Sequence, residues 1–119
     1  MTKHIQWTLE MNVREGRLDE VQPLIDAMVA ATQETEPGAL IYEYYLSDDK
    51  TRCTVIERYA DSDAVMTHLQ NFQTKFAETF FATFEPVLFR VFGPANDDVK
   101  GALAALGATF DGKTGGFIR

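Results

Sequence analysis

The sequence holds two histidines: His4 near the N-terminus and His68 inside an amphipathic segment. An imidazole at the edge of an apolar pocket can take a proton from a phenol or an enol near neutral pH. The same residue can serve instead as a capping or packing histidine that hydrogen-bonds a strand, and both readings stand. Seven of the nine phenylalanines, Phe72, Phe76, Phe80, Phe81, Phe84, Phe89 and Phe92, follow His68 closely. With Trp7 and the tyrosines they would line a pocket for a flat aromatic ligand, or simply fill a core. Glu43 and Glu57 interrupt otherwise apolar stretches and admit three readings: a cross-strand acidic pair, solvated residues, or ion-pair partners of Arg52, Arg58 and Arg90 at a subunit seam. The usual habits of charged residues favour the last two. Arg90 is alternatively a holder of a substrate carbonyl or oxyanion.

Other chemistry has no motif here. Two distant histidines and one cysteine give no recognisable zinc or non-haem iron spacing, and neither a Gly-rich phosphate loop nor a Gly-x-Ser-x-Gly turn occurs. An enzyme built from these residues is expected to need no metal or other bound cofactor. A length of 119 residues suits one domain, and 45% apolar with 24% charged residues is a globular composition. The net charge of -7 and pI near 4.7 argue against nucleic acid or an anionic membrane surface as partner, and favour a small neutral or weakly polar ligand. Cys53 is the only cysteine, so no intramolecular disulfide forms and the cytosol is the expected compartment. The N-terminus has no apolar run of signal-peptide or membrane-span length.

The elements that must position these residues follow from periodicity. Residues 4–13 alternate strictly, with Ile5, Trp7, Leu9, Met11 and Val13 on one face, which predicts a half-buried strand. From Leu18 the spacing of Val21, Leu24, Ile25, Met28 and Val29 predicts a helix ending near Thr35, with Pro23 in about its first turn. Pro37-Gly38 breaks it. Ala39 to Ser47 and Arg52 to Tyr59 then form an antiparallel hairpin around Asp48-Asp49-Lys50, the first of its strands apolar on both faces. Asp61-Ser62-Asp63 offers N-caps for a helix whose stripe is Val65, Leu69, Phe72, Phe76 and Phe80, with His68 on the edge, roughly 60° from Val65. Asn71 is a candidate break. Pro86 is expected to end the helical region, and Val87 to Phe92 to be the fourth strand. A tail beyond Gly93 carries one helix, about Asp97 to Leu106, facing inward with Val99, Leu103 and Leu106 and stopped by Gly107.

The order is β-α-β-β-α-β with a helical tail: an α+β, ferredoxin-like fold with a four-stranded antiparallel sheet covered by helices on one face. The bare face is expected to pair with a second copy. The runs Glu36-Pro37-Gly38-Ala39-Leu40-Ile41-Tyr42 and Val55-Ile56-Glu57-Arg58-Tyr59, then Asp63-Ala64 and His68-Leu69, resemble in order and spacing the antibiotic-biosynthesis monooxygenase family over roughly residues 5–92. That resemblance implies ferredoxin-like units paired through their sheets into a dimeric α/β barrel. It also implies activities ranging from metal- and flavin-free oxygenation of polyketide phenols or quinols to haem degradation and modification of small signalling molecules. The haem-degrading branch relies on Asn, Trp and His, where this sequence has Leu9, His68 and Phe76, so haem degradation is not expected; Tyr59 stands where many members carry Trp.

With the resemblance, the residues lead to a cytosolic homodimer acting as a cofactor-independent monooxygenase on a small phenolic, quinol or enolisable molecule. Its alternative is a binding or structural dimer without turnover. His68 is the expected base, with Trp7, Tyr42, Tyr44, Phe72, Phe76 and Arg90 around the ligand. Residues 1–93 form the domain, and 94–119 an extension packed on it or on the partner subunit with Phe117 as anchor.

Overall fold

Strict alternation along Ile5–Val13 gives strand β1, which turns Ile5, Trp7 and Met11 fully inward in the computed structural model, which describes residues 2–119. Helix α1 (Leu18–Thr35) follows and buries Val21, Leu24, Met28 and Thr32, the spacing of one helical stripe. Pro23 lies in its second turn rather than its first, where the missing N–H leaves the Asp19 carbonyl without its usual donor. Strands β2 (Ala39–Leu46) and β3 (Arg52–Tyr59) form the expected hairpin. Its turn is held by the Asp49 carboxylate, which accepts from the Ser47 and Thr51 hydroxyls and the Thr51 N–H, while Lys50 takes a left-handed φ of 61°.

Helix α2 (Ser62–Lys75) is capped by Asp61, whose side chain accepts from the Ala64 N–H at 2.9 Å. The chain bends at Phe76 (φ -129°, ψ -18°), not at Asn71, and continues as α3 (Ala77–Thr83). Pro86 does not end the helical region. The helix stops at Thr83, and strand β4 (Phe84–Phe92) already contains Pro86, at the point where its register against β1 shifts. A bulge tolerates a residue without an N–H, so this proline marks an irregularity inside a strand.

The tail forms α4 (Asp97–Ala104) and a short strand β5 (Thr109–Asp111). The sheet therefore has five strands, in the order β2-β3-β1-β4-β5, rather than four. The fifth is parallel to β4 and escaped the sequence reading because three residues carry no period. Val99 and Leu103 are fully buried with Trp7, Tyr59, Val65 and Phe89, while Leu106 falls past the helix end and stays 44% exposed. Phe117 is 76% exposed, its ring beside the Arg119 guanidinium. A second cluster gathers Met11, Met28, Cys53, Val55, Phe80 and Phe84, and Leu9 touches both clusters. Among the described residues no helix is long and apolar enough to cross a membrane.

Leu103→Ala is expected to lower unfolding free energy by about 3 kcal/mol, as for a fully buried leucine, and Leu106→Ala by under about 1 kcal/mol. Urea denaturation of the two variants checks this; equal losses would mean that α4 does not belong to the core.

Candidate active site

Glu36, Pro37 and Gly38 turn the chain from α1 into β2 against the start of α2. Gly38 permits the approach, since a Cβ there would lie 2.6 Å from the Ala64 Cβ. The turn leaves the Glu36 carboxylate in the interior facing α2. In the second turn of α2, His68 points the same way and is 5% exposed, deeper than the stripe-edge position read from the sequence. On β3, alternation turns Cys53, Val55, Glu57 and Tyr59 inward, so Glu57 is carried into the core with its apolar neighbours.

These three elements meet at His68. Its Nδ1 lies 3.0 Å from Glu36 Oε1 and its Nε2 3.3 Å from Glu57 Oε1. Glu57 also accepts from Trp7 Nε1 at 2.7 Å and from the Tyr59 hydroxyl at 2.5 Å, and Glu36 accepts from the Asn71 amide at 3.3 Å. Tyr59 and Tyr42 place their rings 5.1 and 5.4 Å from the imidazole, and the Tyr42 and Tyr44 hydroxyls share a 2.9 Å hydrogen bond.

The electrostatics follow from burial and pairing. Burial works against a charged His68, but the Glu36 hydrogen bond and the two carboxylate charges outweigh it and raise its pKa above 6.5. Burial likewise pushes Glu36 up, yet the hydrogen bond and charge of His68, with Asn71 and Lys75, bring it below 4.5. Glu57 ends above 4.5, because burial exceeds what His68, Tyr59 and Trp7 return. The shift favours the imidazolium form, with Nδ1 hydrogen-bonded to Glu36 and Nε2 facing the Glu57 carboxylate. Burial first, then Glu57, keeps Tyr42 protonated well past its ordinary range; burial keeps Tyr59 protonated too, followed there by the Glu57 charge and hydrogen bond.

The cluster forms the polar corner of a cavity between the two halves of the core. Trp7, Leu9, Tyr42, Tyr44, Phe72, Phe80, Phe81 and Phe89 supply most of its wall, with Glu57 and His68 at one end and Leu103 of α4 with Leu106 just beyond it at another. A water-sized sphere has about 50 Å³ for its centre, inside a recess of about 520 Å³ that includes the open mouth. Of the residues singled out in the sequence, His68, Trp7, Tyr42, Tyr44 and Phe72 converge here. Phe76 lines a separate small recess with Glu36 and Asn71. Arg90 is on the opposite face of the sheet, paired with Asp111 at 3.1 Å and over the Phe92 ring, because β4 alternates and Phe89 takes the inward place. Glu43 and Glu57 are not a pair: Glu43 is exposed and opposite Ile56, whereas Glu57 faces Tyr42. Nor is Glu57 solvated or paired with an arginine.

Glu36, Glu57, Tyr59 and Asn71 are the members that sequence reasoning did not place here. For Glu57 the signal was present, since it shares the inward parity of Val55 and Tyr59. Glu36 gave none, being a loop residue beside a proline. No group of three or more His, Cys, Asp or Glu among the described residues is arranged to hold a metal ion; the two nitrogens of His68 face different carboxylates.

The pairing makes stability depend on pH with a definite sign. The contribution of His68 is complete below its unfolded value near 6.5 and is lost as pH rises through its higher folded value. That of Glu36 is complete above its unfolded value near 4.5 and is lost as pH falls through its lower folded value. Glu36→Gln is therefore expected to cost on the order of 3 kcal/mol between pH 4.5 and 6.5, and less on either side. Denaturant titrations of both proteins across pH test this; a deficit that does not vary with pH rules the ion pair out.

Comparison with known proteins agrees with this architecture. Over the full chain and 91% of its counterpart, the fold superposes on MupZ from Pseudomonas fluorescens with a TM-score of 0.87 at 24% identity. SnoaB from Streptomyces nogalater, a cofactor-independent oxygenase, matches 79% of this chain and 95% of its own with a TM-score of 0.64 at 18% identity. Rv0793 from Mycobacterium tuberculosis matches 79% and 97%, with a TM-score of 0.58 at 23% identity. At these identities the likeness is one of fold. No curated protein is significantly similar in sequence. The sequence model for antibiotic biosynthesis monooxygenases matches residues 7–81, a span that holds Trp7, Glu36, Glu57 and His68, and the chain belongs to that family.

Proposed function

We propose that the protein is a cofactor-independent oxygenase that removes a proton from a small phenolic, quinol or enolisable molecule in the cavity and lets the resulting anion react with dioxygen. One observation carries this reading: Glu57 and His68, the latter backed by Glu36, stand at the end of a cavity walled otherwise by aromatic and aliphatic side chains. Family membership supports it. His68 does not act alone as base, because both its nitrogens are engaged. The Glu57–His68 pair, titrating as a unit, takes the proton instead: Glu57 is on the cavity wall, and burial makes it a stronger base than a solvated carboxylate.

The electrons balance with oxygen as sole oxidant. For an anthrone-type methylene, C–H loses its proton to the pair and the carbanion adds dioxygen to form a C–O bond and a peroxide anion. The pair returns the proton to the distal oxygen. Loss of water, breaking O–O and the remaining C–H, leaves a ketone, so one oxygen enters the product and the other leaves as water. Tyr42 and Tyr44 orient the ligand's oxygen from the wall, and the aromatic surround excludes water. A second reading, binding without turnover, is favoured by the carboxylates that face both nitrogens of His68.

Oxygen uptake with anthrones, quinols and small enols separates the two. The oxygenase reading expects uptake that falls at least about a hundredfold in kcat in Glu57→Gln. Quenching of Trp7 fluorescence by the same compounds without oxygen uptake would make the protein a binder. His68→Ala should lose both activity and about 3 kcal/mol or more of stability, since it strands two buried carboxylates.

The functional unit is proposed to be a cytosolic homodimer joined through the outward face of the sheet, where Ile41, Tyr45, Ile56, Leu88 and Phe92 have no helix over them. Sedimentation should show a dimer at micromolar concentration and dissociation in Ile56→Glu. A wild-type monomer would refute it.

A further inference from the structure

Outside the cavity a groove of about 530 Å³ runs along α2, closed on its other side by Ala102 and Leu106 of the tail. Its lining contains no charged residue, although 24% of the chain is charged: Met66, Leu69, Phe72, Phe81, Ala102 and Leu106 are apolar, and Thr67, Gln70 and Gln73 are neutral. Four of these, Leu69, Phe72, Phe81 and Leu106, also wall the cavity beside His68. Groove and cavity are thus the two sides of one thin partition. Its Leu106 is 44% exposed and lies beyond the last turn of α4.

The enclosed part of the cavity is small. Its open volume of about 50 Å³ is well below the roughly 150 Å³ of an engineered apolar cavity that admits benzene. A head group at Glu57 and His68 therefore fills the enclosed part and reaches into the open mouth, and across the shared wall lies an uncharged, largely apolar trough. We propose that the groove between α2 and α4 holds the apolar chain of an uncharged amphiphile whose reactive head occupies the cavity. This rests on the cavity being the binding site, as in the oxygenase reading, and adds a feature of the substrate: a linear hydrocarbon chain carried by the reactive head group.

Trp7 is the only tryptophan and walls the cavity, so its fluorescence reports occupancy of the head site. Para-cresol, para-butylphenol and para-hexylphenol, each below its aggregation limit, serve as probes. Affinity should rise by about fourfold per added methylene while the chain lies in the groove. In Met66→Glu, which puts a charge in the trough, the ratio of hexylphenol to cresol affinity should fall by about tenfold or more. Gln73→Glu serves as a second variant in case the first does not fold, with helicity checked by circular dichroism.

An affinity that levels off at cresol, an unchanged ratio in a folded variant, or no quenching by any member of the series overturns the proposal. Concentration-dependent self-association abolished by Met66→Glu, with no dependence on chain length, would give the groove to a second copy and overturn it equally. Chain-length dependence without oxygen uptake leaves this inference standing and removes only the oxygenase reading.

Discussion

Two carboxylates share the interior of this protein, and His68 stands between them. Neither Glu36 nor Glu57 could stay ionised in an apolar core without a cation and hydrogen-bond donors at hand. The requirement reaches outward into the fold. It fixes the rotation of α2 about its axis, so that His68 faces the sheet. It also needs the close Gly38–Ala64 contact that seats the turn against α2, and the β3 parity that sends Glu57 inward with Val55 and Tyr59. Trp7 and Tyr59, large rings that would otherwise bring an unsatisfied N–H and O–H into the core, are placed by the same carboxylate.

A buried ion cluster of this kind is a weak device for stability, because desolvation offsets much of the attraction. It is a good device for chemistry. A hydrophobic residue at position 57 would fill the space but leave the Trp7 N–H and Tyr59 O–H unpaired, and it could not exchange a proton with something in the cavity. That glutamate, histidine and tryptophan converge where the wall is otherwise aromatic is the feature that separates this corner from an ordinary core. The partners of His68 are carboxylates on two other elements, not the backbone carbonyl that a purely packing histidine would be expected to find.

The C-terminal segment changes the shape of the site more than its chemistry. A ferredoxin-like unit is complete at β4, and the likeness to SnoaB and Rv0793 extends over about four fifths of this chain. The likeness to MupZ runs the whole length. Here α4 contributes Val99 and Leu103 to the core beside Trp7, and Leu103, with Leu106 just beyond the helix, to the cavity wall, while β5 extends the sheet beyond β4. The tail thus sets how much of the aromatic recess is open and in which direction.

Local pattern determined much of this. Alternation in β1 and β3, the helical stripe of α1, the Asp49 turn, the Asp61 cap and the order β-α-β-β-α-β are all readable from neighbouring residues, because each depends on interactions within a few positions of the chain. His68, Trp7, Tyr42, Tyr44 and Phe72 were legible as site candidates for the same reason: side-chain type and parity put them on inward faces. Where the reading failed, the cause was not local. The helix bends at Phe76 in place of Asn71, and Phe80 beyond the bend joins the second core cluster. Pro86 sits in a strand because a bulge against β1 accepts it, and Arg90 faces away because Phe89 takes the core position. The partners of His68 belong to this second class. Glu36 and Glu57 are 32 and 11 residues from it, on a loop and a strand with no periodic relation to α2, and only the packing of α2 across the hairpin brings both to one imidazole. The sequence by itself determined which residues face inward; which of them touch, and therefore which proton can move, was decided by tertiary structure.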